Sequence, residues 1–190
     1  MPDKKSYIYQ TSAGQAISSD GNFLVETVLG YHPQKYLKVL DIGCGCGILG
    51  FMLKLKRPSW QIYGLDIQAN LIQLAKKNSQ ICKLEVKFIH QDLNQHKEKY
   101  DLIICNPPFY PANSGKMPKN LGKQLARFEL KCTQEEIIAA AGRCLHTKGS
   151  SYILYPLSRL KSQELQAKII ANKGSVGVIR VKSETHPLCN

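Results

Sequence analysis

The chain has 190 residues, 43% of them apolar and 21% charged, the balance of a soluble globular protein. A single domain of this size hides about 70% of the surface its unfolded form exposes. No apolar run approaches the roughly 20 residues of a membrane span, and no signal-type stretch follows the polar start Met1-Pro2-Asp3-Lys4-Lys5, so the expected setting is cytoplasmic. Seven scattered cysteines argue against a disulfide framework, and 26 Lys and Arg against 14 Asp and Glu give a net charge of +12 that suits a nucleic-acid partner.

In chain order, residues 1–36 read as an N-terminal arm with a helix that Asp20 caps and Phe23, Leu24 and Val28 line; residues 37–190 read as one globular unit. A first strand over 37–42 runs into Gly43-Cys44-Gly45-Cys46-Gly47, and a helix over 48–55 follows. Alternating glycines in such a turn supply positive φ angles and let a ligand approach bare backbone. A dinucleotide fingerprint needs its third glycine one position later, where Ile48 stands, and an apolar residue where Asp41 stands. Cys44 and Cys46 have no second Cys or Cys–His pair at ligand spacing, so they read as small packed side chains and no metal is expected. The run Asp41-x-Gly43-x-Gly45-x-Gly47 resembles motif I of the class I S-adenosylmethionine-dependent methyltransferases.

The second strand, 61–65, ends at Asp66, about twenty residues past the glycines, where a carboxylate can accept both hydrogen bonds of a ribose diol. A helix over 70–79 leads to a third strand, 86–90, and then to Gln91-Asp92-Leu93. The resemblance implies S-adenosyl-L-methionine as cofactor. Gly43, Gly45 and Gly47 then hold its amino-acid portion beside Asp41, and Asp66 holds the ribose. Asp92 takes the adenine amine, and Ile67 and Leu93 sandwich the ring.

The fourth strand, 102–105, leads into Asn106-Pro107-Pro108-Phe109. Each proline lacks an N–H and biases the preceding residue away from helix, so the segment leaves the sheet extended, with free carbonyls. The Asn106 amide oxygen and the Pro107 carbonyl can accept the two hydrogens of one planar NH₂ group, and Phe109 offers a stacking face. Asn106, Pro107 and Phe109 are therefore the expected catalytic residues, with Asn106 also beside the cofactor. Asn-Pro-Pro-Phe is shared by methyltransferases of adenine N6, guanine N2 and glutamine amides. With Tyr110, Ser114-Gly115-Lys116 and Ala126-Arg127-Phe128-Glu129, it resembles the bacterial family that methylates adenine N6 in valine tRNA beside the anticodon. Gln10 and Ile17-Ser18-Ser19-Asp20 are similar to that family's N-terminal pattern, whereas Phe128 replaces its usual histidine, whose role does not transfer. The resemblance implies a tRNA substrate. The alternatives are glutamine-N5 methylation of release factors and guanine-N2 methylation of rRNA. The release-factor family commonly has Tyr where Phe109 stands and carries a separate N-terminal helical domain, for which some 36 residues are too few. Within the long basic stretch after the motif, Lys116, Lys119, Lys123, Arg127 and Lys131 recur at spacings of three or four and are expected on RNA phosphates.

Thr133 and Glu136 form a capping box for a helix over 133–145; strand 151–155, helix 158–172 and strand 177–181 follow. Residues 182–190 carry Pro187 and few β-branched side chains, so no strand is expected there. Alternating β and α units imply a Rossmann-like, doubly wound α/β sheet of the class I methyltransferase type that lacks the seventh strand: six strands, with the missing slot empty or filled by 177–181. No oligomeric state is legible. Ligands belong at the carboxyl ends of the strands.

Overall fold

The computed structural model describes residues 8–10, 19–107, 134–159 and 167–182. In chain order the elements are α1 (Ser19–Tyr31), β1 (Lys38–Ile42), α2 (Ile48–Lys56), β2 (Gln61–Asp66), α3 (Ala69–Cys82), β3 (Lys87–His90), β4 (Tyr100–Cys105), α4 (Gln134–Arg143), β5 (Leu145–Pro156), β6 (Ala167–Lys173) and β7 (Val176–Lys182). Short 3-10 turns stand at Leu93–Gln95 and Leu157–Arg159. The strands form one sheet in the order β3-β2-β1-β4-β5-β7-β6. From β3 through β5 every pairing is parallel, and β7 lies antiparallel between β5 and β6.

Parallel strands buried on both faces need apolar side chains at successive positions rather than every second one. Val39-Leu40, Leu102-Ile103-Ile104-Cys105 and Tyr152-Ile153-Leu154-Tyr155 supply them. Val39, Leu102, Ile104, Tyr152 and Leu154 face a core with Leu24, Val25 and Val28 of α1 and Leu49, Phe51 and Leu53 of α2. Leu40, Ile103, Cys105, Ile153 and Tyr155 face the opposite core with Ile137, Ala140 and Ala141 of α4. The chain leaves β1 toward β2 on one side and returns to β4 on the other. The crevice between the carboxyl ends of β1 and β4 is therefore the topological switch point. No helix among the described residues is long and apolar enough to cross a membrane.

The expected six strands are corrected to seven. Leu160, Leu165, Ile169 and Ile170 make 158–172 read as a helix, yet Ala167–Lys173 is the strand β6, and the sheet carries the full set. The signal outweighed by helical spacing is a hairpin: the β-branched pair Ile169-Ile170, then Gly174-Ser175, then Val176-Gly177-Val178-Ile179. Lys173 pairs with Val176, leaving a two-residue turn with Gly174 at φ +59°; positive φ at the first central residue alone is the type II′ pattern. The slot beside β5 is taken by β7, as one of the two expected arrangements has it. A bulge between Ile169 and Ala171, flanked by Lys168 and Lys173, interrupts the edge strand β6, a device that discourages pairing with other chains. Elsewhere the expected strands and helices form with shifted ends; β5 begins at Leu145, where a helix end was expected. Residues 183–190 and Thr133 lie outside the described residues.

Adjacent residues Val178 and Ile179 are both fully buried, each in a different core, whereas Ile169 on β6 is 45% exposed. Ile179→Ala is expected to cost about 2–5 kcal/mol in urea unfolding, as for a filled core site, and Ile169→Ala under about 1 kcal/mol. Equal, small losses at both positions would show that β7 is not an inner strand.

Candidate active site

The site is built on the turn that ends β1. Gly43, Gly45 and Gly47 have φ of +69°, +54° and +89°, the left-handed values that the alternating glycines were expected to adopt. At Gly47 an added Cβ would also lie 2.8 Å from the Phe88 ring, so α2 can begin there only without a side chain. Gly45 has nothing within 4 Å of that position. It therefore presents bare backbone to open space, as a ligand's approach requires. The Gly43 and Cys44 N–H groups donate to the Leu65 carbonyl at 2.8 and 3.0 Å, and Gly45 N–H donates to Asp66 Oδ2 at 2.9 Å. The loop is thus tied to the end of β2. Cys44 and Cys46 are buried, and burial first of all raises both thiols, so they pack as neutral side chains.

Asp66 and Asp41 end neighbouring strands and are treated differently. Asp66 Oδ1 accepts the Gln68 N–H at 2.9 Å, so both of its oxygens hold backbone donors. Asp41 is 1% exposed and neither of its oxygens has a hydrogen bond of good geometry. Burial, then the Asp66 charge, pushes its carboxyl up to about 8, only partly offset by a contact with the Gly50 backbone. On the other side of the crevice, at the end of β4, the Asn106 amide oxygen is also buried without a donor, and Pro107 is buried beside it. Buried acceptors that lack donors are rare in folded proteins. Such acceptors stand here at the carboxyl ends of both β1 and β4, where N–H groups of a ligand could meet them.

Along the rim, Ile67 follows Asp66 with 42% of its surface open, an apolar face available to a flat ring. Asp92 Oδ1 accepts the Asn94 N–H at 2.8 Å and so caps the 3-10 turn after β3. Leu93 is buried in the core with Leu40, Leu65 and Tyr100, and offers less free face than Ile67. Phe109 and the lysines at 116, 119 and 123, with Arg127 and Lys131, lie outside the described residues.

Two supports escaped sequence reasoning. His96, buried, lies with Nδ1 2.8 Å from Gln91 Oε1 and Nε2 3.0 Å from the Tyr100 hydroxyl, while Arg143 Nη2 donates to the Leu93 carbonyl at 2.9 Å. Together they hold the turn that carries Asp92. Asn78, fully buried on α3, donates to the Cys46 carbonyl at 3.1 Å. Its place in the stripe Leu71, Ile72, Ala75, Asn78, otherwise apolar, is the signal that could have found it.

Residues 15–172 match the methyltransferase small domain. The tRNA1(Val) (adenine(37)-N6)-methyltransferase of Vibrio campbellii is 30% identical over 159 residues, covering 82% of this chain and 64% of that protein. The release factor glutamine methyltransferase of Enterococcus faecalis is 38% identical over 88 residues, 45% of this chain and 32% of its own length. The chain thus spans about a third to just under two thirds of the length of these curated relatives. Among solved structures, a ribosomal protein L11 methylase from Lactobacillus delbrueckii subsp. bulgaricus aligns with a TM-score of 0.63 at 17% identity, over 88% of this chain and 81% of that one.

The Asp41 environment sets a pH dependence. Its carboxyl ionises near 3.9 when unfolded but near 8 when folded, so between these values the folded state binds the extra proton and stability falls as pH rises. Asp41→Asn removes that slope. In urea unfolding of the ligand-free protein, the variant should gain on the natural chain by at least about 1.4 kcal/mol between pH 5 and pH 8, the worth of one pH unit of such a slope. Parallel curves for the two proteins would refute it.

Proposed function

This chain belongs to the methyltransferase small domain family, and we propose that it transfers a methyl group to the exocyclic N6 of an adenine in tRNA. Its cofactor is S-adenosyl-L-methionine, which when bound supplies a methyl group made electrophilic by a sulfonium. The residues present fit that molecule. Open backbone at Gly45 suits the amino-acid end, and a cationic group arriving there would favour ionisation of the Asp41 carboxyl, which lacks donors. Asp66 at the end of β2 suits a ribose diol, and the exposed Ile67 face, with Asp92 and Leu93 across from it, suits an adenine.

The observation that carries the acceptor reading is the buried Asn106 amide oxygen without a donor. Asn106 Oδ1 and the Pro107 carbonyl accept the two N–H groups of the acceptor amine, fix its plane, and turn its lone pair toward the methyl group. Held so, the acceptor nitrogen would take up the methyl group that bound S-adenosyl-L-methionine would supply, and would then lose one proton to solvent. The chain's contribution is positioning, and no strong base is needed because the methylated nitrogen is acidic. Adenine in tRNA is favoured over the other acceptors by breadth of similarity. The tRNA-modifying relative matches 82% of the chain, the release-factor relative 45% and an rRNA small-subunit methyltransferase of Mannheimia succiniciproducens 38%. The net charge of +12 supports a polyanionic partner. Phe109 is proposed as the stacking face for the base, and the basic residues that follow it as phosphate contacts.

Incubation with labelled cofactor and unmodified total tRNA should yield N6-methyladenosine, and Asn106→Ala should abolish turnover while leaving cofactor affinity within about twofold, since its contacts are to the acceptor. Label appearing in glutamine of a release factor, or in guanine, would replace the adenine reading. Asp66→Ala should weaken cofactor binding at least about tenfold in calorimetry, through loss of charged hydrogen bonds. Unchanged affinity would remove Asp66 from the site.

A further inference from the structure

Asn78 occupies the buried stripe of α3, where an asparagine is a weak helix former and an unpaired amide would be costly. Its partners are not in the helix. The Tyr9 N–H donates to Asn78 Oδ1 at 2.8 Å, and Asn78 Nδ2 donates to the Tyr9 carbonyl at 2.9 Å and to the Cys46 carbonyl at 3.1 Å. One side-chain amide therefore grips both main-chain polar groups of a residue 69 positions away, as a neighbouring strand would, and the glycine loop at the same time. Tyr9 is 54% exposed, with Lys77 Nζ 4.5 Å from its ring centroid, and Ile8 beside it is half-buried.

We propose that Asn78 is a positioning residue that latches residues 8–10 onto the glycine loop, so that docking of this segment and binding of the cofactor stabilise each other. The proposal rests on the reading that the glycine loop holds the cofactor. Physically, the Asn78 amide fixes the Cys46 carbonyl and hence the Cys46–Gly47 peptide, one residue past the open backbone at Gly45. Losing the Tyr9 partner leaves the amide oxygen without its donor and frees the amide to turn away from Cys46. Coupling between two sites is reciprocal, so whatever Tyr9 does for cofactor affinity the cofactor must do for Tyr9.

Tyr9→Pro tests this, because proline deletes the N–H that Asn78 accepts and leaves the core untouched. In the full-length protein it should weaken S-adenosylmethionine binding by about three- to tenfold, the worth of one or two net hydrogen bonds. It should raise the cofactor KM with little change in kcat. Asn78→Ala should do the same, and the double variant no more than either alone. Tyr9→Ala, which keeps the backbone groups and loses only the ring's contact with Lys77, should bind cofactor more tightly than Tyr9→Pro. Saturating cofactor should slow hydrogen exchange of the Tyr9 amide, a readout that a merely stabilising asparagine would not move. Tyr9→Pro binding cofactor like the natural chain, additive losses in the double variant, or a Tyr9 amide indifferent to cofactor would each overturn the latch. Failure of the natural chain to bind S-adenosylmethionine at all would instead overturn the reading of the glycine loop.

Discussion

The hydrogen bond from Gly45 N–H to Asp66 is the contact on which the site's shape depends. It draws the glycine loop across from β1 to β2, engages one carboxylate, and leaves Asp41, a residue away from the loop's start, with none of the donors the loop could have offered. Backbone N–H groups are the natural partners of an acidic residue at a strand end. Spending them on Asp66 keeps Asp41 buried and unsatisfied, held in a protonated form by burial and by its neighbour's charge. That is a cost in stability for the empty fold. In the proposed site it would become useful once a cationic ligand arrived, because groups that destabilise the free protein gain most on binding.

The same logic governs the opposite wall. Asn106 is carried out of β4 by Pro107, which cannot donate, so no local N–H turns back to meet the amide oxygen. The walls of the crevice are thus short of donors for covalent reasons on one side and through competition on the other. Around them the supports are fully paired. His96 lies between Gln91 and Tyr100, Arg143 reaches the Leu93 carbonyl from α4, and Asn78 fills its amide with three contacts. Unsatisfied groups where a ligand belongs and satisfied ones behind them are what pre-organisation requires.

Legibility in the sequence followed the range of the interactions involved. The strands β1, β2 and β4, the helix α2 and the glycine turn are specified by neighbours along the chain, and they were readable. So was the placing of Asp41, Asp66 and Asn106 at strand ends. The hairpin of β6 and β7 was half readable: Val176–Lys182 shows as a strand, whereas Ile169-Ile170 satisfies helical spacing with Leu165 equally well, and only pairing across Gly174 decides for a strand. Asn78 and His96 were not readable, because their partners lie at Tyr9 and Cys46 and at Gln91 and Tyr100, and a polar residue in an apolar stripe does not name its partner. Leu93 was readable as apolar but not as core-facing.

The charge of the chain needs the same separation by place. Lys38 sits at the start of β1, its ammonium 3.0 Å from Glu98 and 4.7 Å from the Tyr100 ring centroid, and Lys87 at the start of β3 lies 5.4 Å from that of Tyr63. These are the amino ends of strands, whereas Asn106 follows the carboxyl end of β4. Six residues of β4 put roughly 17 Å between the two ends. That exceeds the screening length of about 10 Å at 0.1 M salt, so this cluster cannot hold a substrate phosphate at the crevice. Its cations shield an aromatic pair and close the floor of the sheet. What they would add to binding of the proposed polyanionic partner is their share of the long-range field of +12, which speeds encounter but orients nothing at the crevice. In the proposed reaction, orientation would fall instead to the acceptor oxygens of Asn106 and Pro107, which follow the carboxyl end of β4.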